Sequence, residues 1–133
     1  ALLKLGFVAA LATKLSDTCA SEIGKAYGKT TYLITTMRLV PPGTEGAVSL
    51  EGTAAGAVGS VVLTAFAAAV GLLGAAPLVP SLVCIAAAFV ATNVESVIGA
   101  VAQDKYVWLT NELVNGIMTV VGAAVGIGLA TLI

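Results

Sequence analysis

The sequence predicts an all-α membrane protein of about four transmembrane helices, with a long polar, partly extended loop between helices one and two. Of its 133 residues 59% are hydrophobic and only 10% are charged, where an ordinary soluble domain has roughly a quarter charged; the mean hydropathy is +1.05. Apolar runs of spanning length, about 20 residues, recur between short breaks that hold Gly, Pro and most of the charge. Ala and Gly supply much of the bulk and aromatics only 5%, a composition suited to helices packed closely through small residues. The net charge of -1 comes without a basic patch, so no nucleic-acid partner is expected. There is no His, which excludes histidine acid–base chemistry and histidine metal sites. Cys19 and Cys84 are not in a CxxC arrangement and read as free or buried thiols.

Helix one is predicted over about 2–28. Residues 2–13 are apolar apart from Lys4 and run without a breaker into the polar stretch Ser16 to Lys29. The chain opens at Ala1 with neither the charged start nor the cleavage site of a signal peptide. Residues 1–133 are therefore expected to form one transmembrane helical domain, the C-terminal part of a longer chain. Residues 30–50 turn β-branched and aromatic around Pro41-Pro42-Gly43-Thr44-Glu45-Gly46 and read as an extended or hairpin-like loop across one membrane face. A connector of this length carrying Arg38, Glu45 and Glu51 is more often functional than passive.

Helix two is expected from about Gly52 to Gly74, with small faces at Gly52, Gly56 and Gly59, then a tight uncharged turn from Ala75 to Pro80. Helix three, about Ser81 to Gln103, is apolar at first and then carries Asn93, Glu95 and Ser96. The loop to Thr110 holds the interfacial types Lys105, Tyr106 and Trp108. Helix four, about Asn111 to Ile133, opens with Asn111, Glu112 and Asn115 and ends in a glycine stripe; Asn111 is a plausible cap.

Counting crossings puts the 29–51 and 103–110 loops on one side and the 75–80 turn on the other. Lys25, Lys29, Arg38 and Lys105 mark the charged side as cytoplasmic or stromal. Glu95 then lies roughly 12 Å deep at 1.5 Å per residue, with Asp17 comparably deep and Asn115 about a turn inside helix four. Three helices thus bring polar groups to one level beneath one loop. Intramembrane ionisable residues are expensive and mark functional sites by default.

On helix one, Asp17, Ser21, Gly24 and Gly28 form one stripe, and its glycines leave room for a ligand or a second backbone. Thr18, Glu22, Lys25 and Lys29 form the neighbouring stripe, acids toward the buried end and ammonium groups toward the exposed end. Asp17, Glu22, Glu95 and Glu112, with Asn93, Asn111 and Asn115 as neutral donors, are ligand types suited to Mg2+, which keeps several waters and bridges to phosphates. Lys25, Lys29 and Arg38 suit phosphate oxygens, and the Gly43–Gly46 turn offers backbone N–H groups to the same oxygens. No Walker sequence or kinase glycine-rich loop is present.

Taken together, Asp17-x-x-Ala20-Ser21-x-x-Gly24-x-x-x-Gly28-Lys29, Gly43-Thr44-Glu45-Gly46, Glu51-Gly52-Thr53, Asn93-x-Glu95-Ser96 and Asn111-Glu112-x-x-Asn115 resemble a family of integral membrane proteins. That family contains the plant and cyanobacterial phytyl-phosphate kinase of tocopherol synthesis and is distantly similar to phytol and dolichol kinases. The resemblance implies phosphoryl transfer from a nucleoside triphosphate, CTP foremost, to a prenyl monophosphate, in a cyanobacterial or plastid membrane. It further implies Asp17, Glu22, Lys25 and Lys29 as catalytic residues and Mg2+ on Asp17 and Glu22 with Glu95 or Glu112. Ser21, Gly24, Gly28, Arg38, the Gly43–Gly46 loop, Glu51, Asn93, Asn111 and Asn115 would bind substrates. Family members carry further N-terminal helices that these residues lack. Two other readings stay open: a lipid cytidylyltransferase releasing diphosphate, and a transporter or structural subunit with a membrane-complex partner or a second copy of itself, in which Glu95 relays a proton or ion.

Overall fold

The computed structural model describes residues 1–133. Helix α1, Leu2–Tyr27, occupies the middle of the structure and packs against every other helix. Its inward stripe, Leu5, Val8, Ala9, Ala12, Thr13 and Ser16, is buried. It is followed by two short strands, β1 (Tyr32–Leu33) and β2 (Ala47–Val48), then α2 (Leu50–Ala69), α3 (Leu78–Ile98) continued by a π turn (Gly99–Gln103), and α4 (Asn111–Leu132).

The contacts fix the directions. A Cβ added to Gly52 would lie 2.6 Å from Ala20 O, one on Gly56 3.0 Å from Ser16 O, and one on Gly59 3.0 Å from Cys19 Sγ. The backbone carbonyls met by Gly52, Gly56 and Gly59 are those of Ala20, Ser16 and, at 3.3 Å, Leu15, so as α2 ascends in number its partners on α1 descend, and the two are antiparallel and in near backbone contact. Gly126 faces Ala9 and Gly122 faces Thr13, which sets α4 antiparallel to α1 in the same way. The Cys84 thiol reaches Leu5 O at 3.7 Å, close to the start of both α1 and α3. Both loops between 28 and 50 and between 103 and 111 therefore sit at one end, and the 70–77 turn at the other.

Packing is inverted relative to a soluble bundle. Many buried positions are small or hydroxylic, including Ser60 at 2% exposure and Thr64 at 1%, beside a few larger ones such as Val8, Val114 and Met118, while Val58, Val62, Phe66, Phe89 and Val120 point outward. In hydrocarbon, exposing large apolar side chains costs nothing, so small residues go to the interfaces where backbones must approach. The hydroxyls satisfy their donors within their own helices: Thr13 donates to Ala9 O at 2.7 Å and Thr64 to Ser60 O at 2.9 Å.

Helices α2, α3 with its π turn, and α4 are long and apolar enough to span a membrane, with hydropathies of 1.6, 1.8 and 1.9. Helix α1, at 26 residues, is long enough but carries Lys4, Lys14, Asp17, Glu22 and Lys25. All of these but Lys4 line the cavity that the other three helices help to enclose.

Two boundaries differ from expectation. Helix α2 ends at Ala69 rather than Gly74, because Gly71 and Gly74 take φ of +78° and +81°. Helix α3 begins at Leu78 rather than Ser81 and takes Pro80 into its first turn, where the amide proline lacks would be unpaired anyway. The caps fall three residues before the expected start of helix two and one before that of helix four: Gly52 N–H donates to Ser49 Oγ at 3.0 Å and Leu113 N–H to Thr110 Oγ1 at 3.3 Å. Thr110, not Asn111, thus caps α4; the Asn111 Oδ1 instead accepts from Gln103 Nε2.

The connector from α1 to α2 forms a two-stranded antiparallel ladder, Tyr32 opposite Val48 and Leu33 opposite Ala47. Gly46 anchors it. Its φ is +78°, and a Cβ there would lie 2.6 Å from both Ser96 O and Ala100 N. The loop is thereby seated on the end of α3, at a π turn of the kind that recurs at functional sites.

Candidate functional site

A cavity of about 670 Å³ opens under this loop, bounded by α1, the loop, the first half of α2, α3 from Leu82 to Ser96 and the start of α4. Helix α1 contributes Asp17, Ser21, Glu22, Gly24 and Lys25, and the loop contributes Gly43, Thr44, Glu45 and Gly46. Asn93 and Glu95 come from α3, Asn111 and Asn115 from α4. Thirteen of the residues singled out from the sequence thus line one space, although they are spread over almost a hundred positions.

The structure does not bring Gly28, Lys29, Arg38, Glu51 or Glu112 to that space, and each has a physical reason. Gly28 ends α1 and packs on Ser49. Lys29 is exposed beyond that end, and Arg38 is exposed at the hairpin tip, where its carbonyl accepts from Leu33 N–H. Glu51 and Glu112 sit in the first turns of α2 and α4, where a carboxylate complements the helix dipole. Asp17, Glu22, Glu95 and Glu112 therefore do not converge; no three acidic groups in the chain form a ready-made metal cluster.

Asp17 and Glu95 do line the same cavity within electrostatic range of each other, with Glu45 and Lys14 as the other charges acting on Glu95. Neither is in an ion pair; the one ion pair joins Lys25 Nζ to Glu22 Oε1 at 3.7 Å, near the mouth. Two carboxylates beside neutral oxygens fit Mg2+, which takes one or two carboxylates and completes its shell with waters and substrate phosphates. The neutral oxygens are at hand. Asn93 spends its amide N–H on Phe89 O at 2.7 Å, leaving its carbonyl oxygen free, and Ser96 donates to Thr92 O at 3.2 Å.

Several lining residues have no role assigned from the sequence: Lys14, Ser16, Thr31, Ser49 and Ser60, while Thr53 and Ser96 enter there only as members of the motifs. Lys14 precedes Asp17 by three positions and so continues its stripe one turn deeper; starting the stripe at Asp17 hid it. Thr31 is 7% exposed, and its Oγ1 has no partner in the chain. A buried unpaired hydroxyl at a cavity wall is a donor in waiting for a ligand. Only the fold could reveal it, because nothing around Thr31 in sequence marks it as buried.

Comparison with known proteins agrees with this architecture. Residues 1–123 match the family described as integral membrane protein DUF92. An uncharacterized membrane protein of Synechocystis is 58% identical over 96% of this chain and 48% of its own length. Protein VTE6, chloroplastic, of Arabidopsis thaliana is 52% identical over 95% of this chain and 38% of its own. An uncharacterized membrane protein of Methanocaldococcus jannaschii is 36% identical over 92% of this chain and 50% of its own. The chain thus spans half or less of the length of these relatives. No solved structure matches. On a match that covers nearly its whole length, the chain belongs to the DUF92 family of integral membrane proteins.

Proposed function

We propose that this chain carries the active site of a membrane prenyl-phosphate kinase, which transfers the γ-phosphoryl group of a nucleoside triphosphate, CTP foremost, to phytyl or a similar prenyl monophosphate. One observation carries the reading: a cavity at membrane depth whose polar part holds Asp17, Glu95 and Lys25 under a glycine-bearing loop. The motif resemblance to phytyl-phosphate kinases and the 52% identity to the chloroplast Protein VTE6 support it and favour a role in tocopherol synthesis.

In this reading an oxygen of the lipid monophosphate attacks the γ-phosphorus, the bond to the β–γ bridging oxygen breaks, and a nucleoside diphosphate leaves. The acceptor is already ionised, so positioning and charge neutralisation suffice without a strong general base. Lys25, at the mouth, binds nucleotide phosphates, and the Gly43–Gly46 loop covers them with backbone N–H groups. Thr31 donates its free hydroxyl to the same ligand. Asp17 and Glu95 would hold Mg2+, which would offset the charge of the phosphate oxygens, and the Asn93 and Ser96 oxygens would offer further neutral acceptors beside them. The site faces the cytoplasm or stroma, where the nucleotide is.

The test uses the full-length protein in nanodiscs with Mg2+, γ-labelled CTP or ATP, and phytyl or geranylgeranyl monophosphate. Label in a lipid diphosphate, lost on Asp17→Asn, is the expected result. Release of inorganic diphosphate would mean a cytidylyltransferase instead, and no transfer from either nucleotide by folded protein would overturn the enzymatic reading.

A further inference from the structure

The cavity is not polar throughout. Its inner end lies between Ala57 and Ser60 of α2 and Leu82, Ile85, Ala86 and Phe89 of α3, well beyond the level of Asp17 and Glu95. Leu82 and Phe89 are each more than half exposed, and Phe89 also borders an apolar hollow of about 400 Å³ on the outer face of α3. The inner end therefore opens sideways into lipid, between α2 and α3.

Lys14 stands where the polar and apolar parts meet. It lies about 20 Å inside the end of α1 at 1.5 Å per residue, lines the cavity and makes no ion pair. An unpaired ammonium group at this depth is costly to keep. Lys25 is eleven positions nearer the mouth, about 16 Å away along the helix axis, so the two cations flank the carboxylate level on opposite sides. One anionic group can be met from the water, the other from the membrane.

We infer that the cleft between α2 and α3 is the acceptor subsite, which admits a single-chain lipid monophosphate laterally from the bilayer, with Lys14 binding its phosphate and the Leu82–Phe89 face of α3 receiving its tail. The inference rests on the kinase reading and deepens it: the acceptor reaches the site without leaving the membrane. A nucleotide fits this end poorly, having no apolar chain to fill it. The apolar end selects the tail and Lys14 selects the head group.

The decisive experiment uses the full-length protein in nanodiscs and a geranylgeranyl monophosphate carrying a diazirine at the far end of its tail. Photolabelling is expected within 57–60 of α2 and 82–89 of α3, competed by unlabelled geranylgeranyl monophosphate but not by inorganic phosphate. Lys14→Met removes a charge from the membrane and is not expected to unfold the protein; it should lower competable labelling about tenfold, the scale of one lost charge-assisted contact. Lys14→Arg should keep most of it. The same probe ending in an alcohol should be indifferent to Lys14. Labelling that is not competed or is spread over the outer faces of α2, α3 and α4, or labelling unchanged by Lys14→Met, would overturn the subsite. Failure of the kinase reading looks different: saturable, Lys14-dependent labelling without phosphoryl transfer.

Discussion

Asp17 and Glu95 line one cavity within electrostatic range of each other, and Glu45 adds a third negative charge in range of Glu95. Like charges held together away from bulk water repel; Lys14 lies in range of both carboxylates and offsets part of this, but neither carboxylate is in an ion pair. Such a pair weakens the apo fold and strengthens cation binding. Asp17→Asn and Glu95→Gln are accordingly expected to cost phosphoryl transfer about a hundredfold or more each, while the thermal midpoint without Mg2+ holds or rises. A midpoint that fell with activity would make them structural. Lys25→Ala should weaken the nucleotide about tenfold, whereas Lys29→Ala and Arg38→Ala should leave KM for the nucleotide within about twofold, as exposed charges do. The acids were legible in the sequence because carboxylates within a span have few structural uses. Of the cations only Lys25 was: whether Lys29 or Arg38 points at the site depends on where α1 stops and how the hairpin folds, and Lys14 was concealed by its apolar neighbours.

Among the elements, glycine divides into positions that hold the site and positions that do not. Gly46 combines a φ of +78° with backbone atoms of Ser96 and Ala100 closing on its missing side chain. Gly46→Ala should lift the loop from α3, costing about 1–3 kcal/mol and exposing residues 29–49 to protease, with KM for the nucleotide raised. Gly56→Val would drive a side chain into Ser16 of α1 and should cost stability on a similar scale, about 1–3 kcal/mol. Gly116 has open space around it, so Gly116→Ala should be neutral or stabilise by up to about 1 kcal/mol. Thermal unfolding of the three variants in one detergent makes the comparison. The packing role of glycines in α2 and α4 was readable from their helical spacing. The seating of Gly46 was not, since it depends on a contact between loop and helix separated by fifty positions.

For the whole molecule, the antiparallel order of α1 with α2 and α4 leaves both charged loops at one end and the Gly71–Pro77 turn at the other. Hydropathy and turn residues were enough to count these crossings, because a backbone in hydrocarbon has no alternative to continuous helix. The depth of the cavity was harder to read, because it depends on which face of each helix turns inward. The sidedness has a direct consequence. In a chain whose Cys19 and Cys84 are replaced by Ala, single cysteines at Lys29 and Lys105 should react with a membrane-impermeant maleimide from the same side of sealed vesicles, and one at Ala76 only from the other. Adding CTP with Mg2+ should then slow the reaction of a cysteine at Thr44, which lines the cavity, and leave the one at Lys105 unchanged, since Lys105 is exposed and outside it. Reaction of Ala76 from the same side as Lys29 would break the crossing order. Protection at Lys105 but not Thr44 would move the nucleotide out from under the loop, and with it the assignment of the polar mouth.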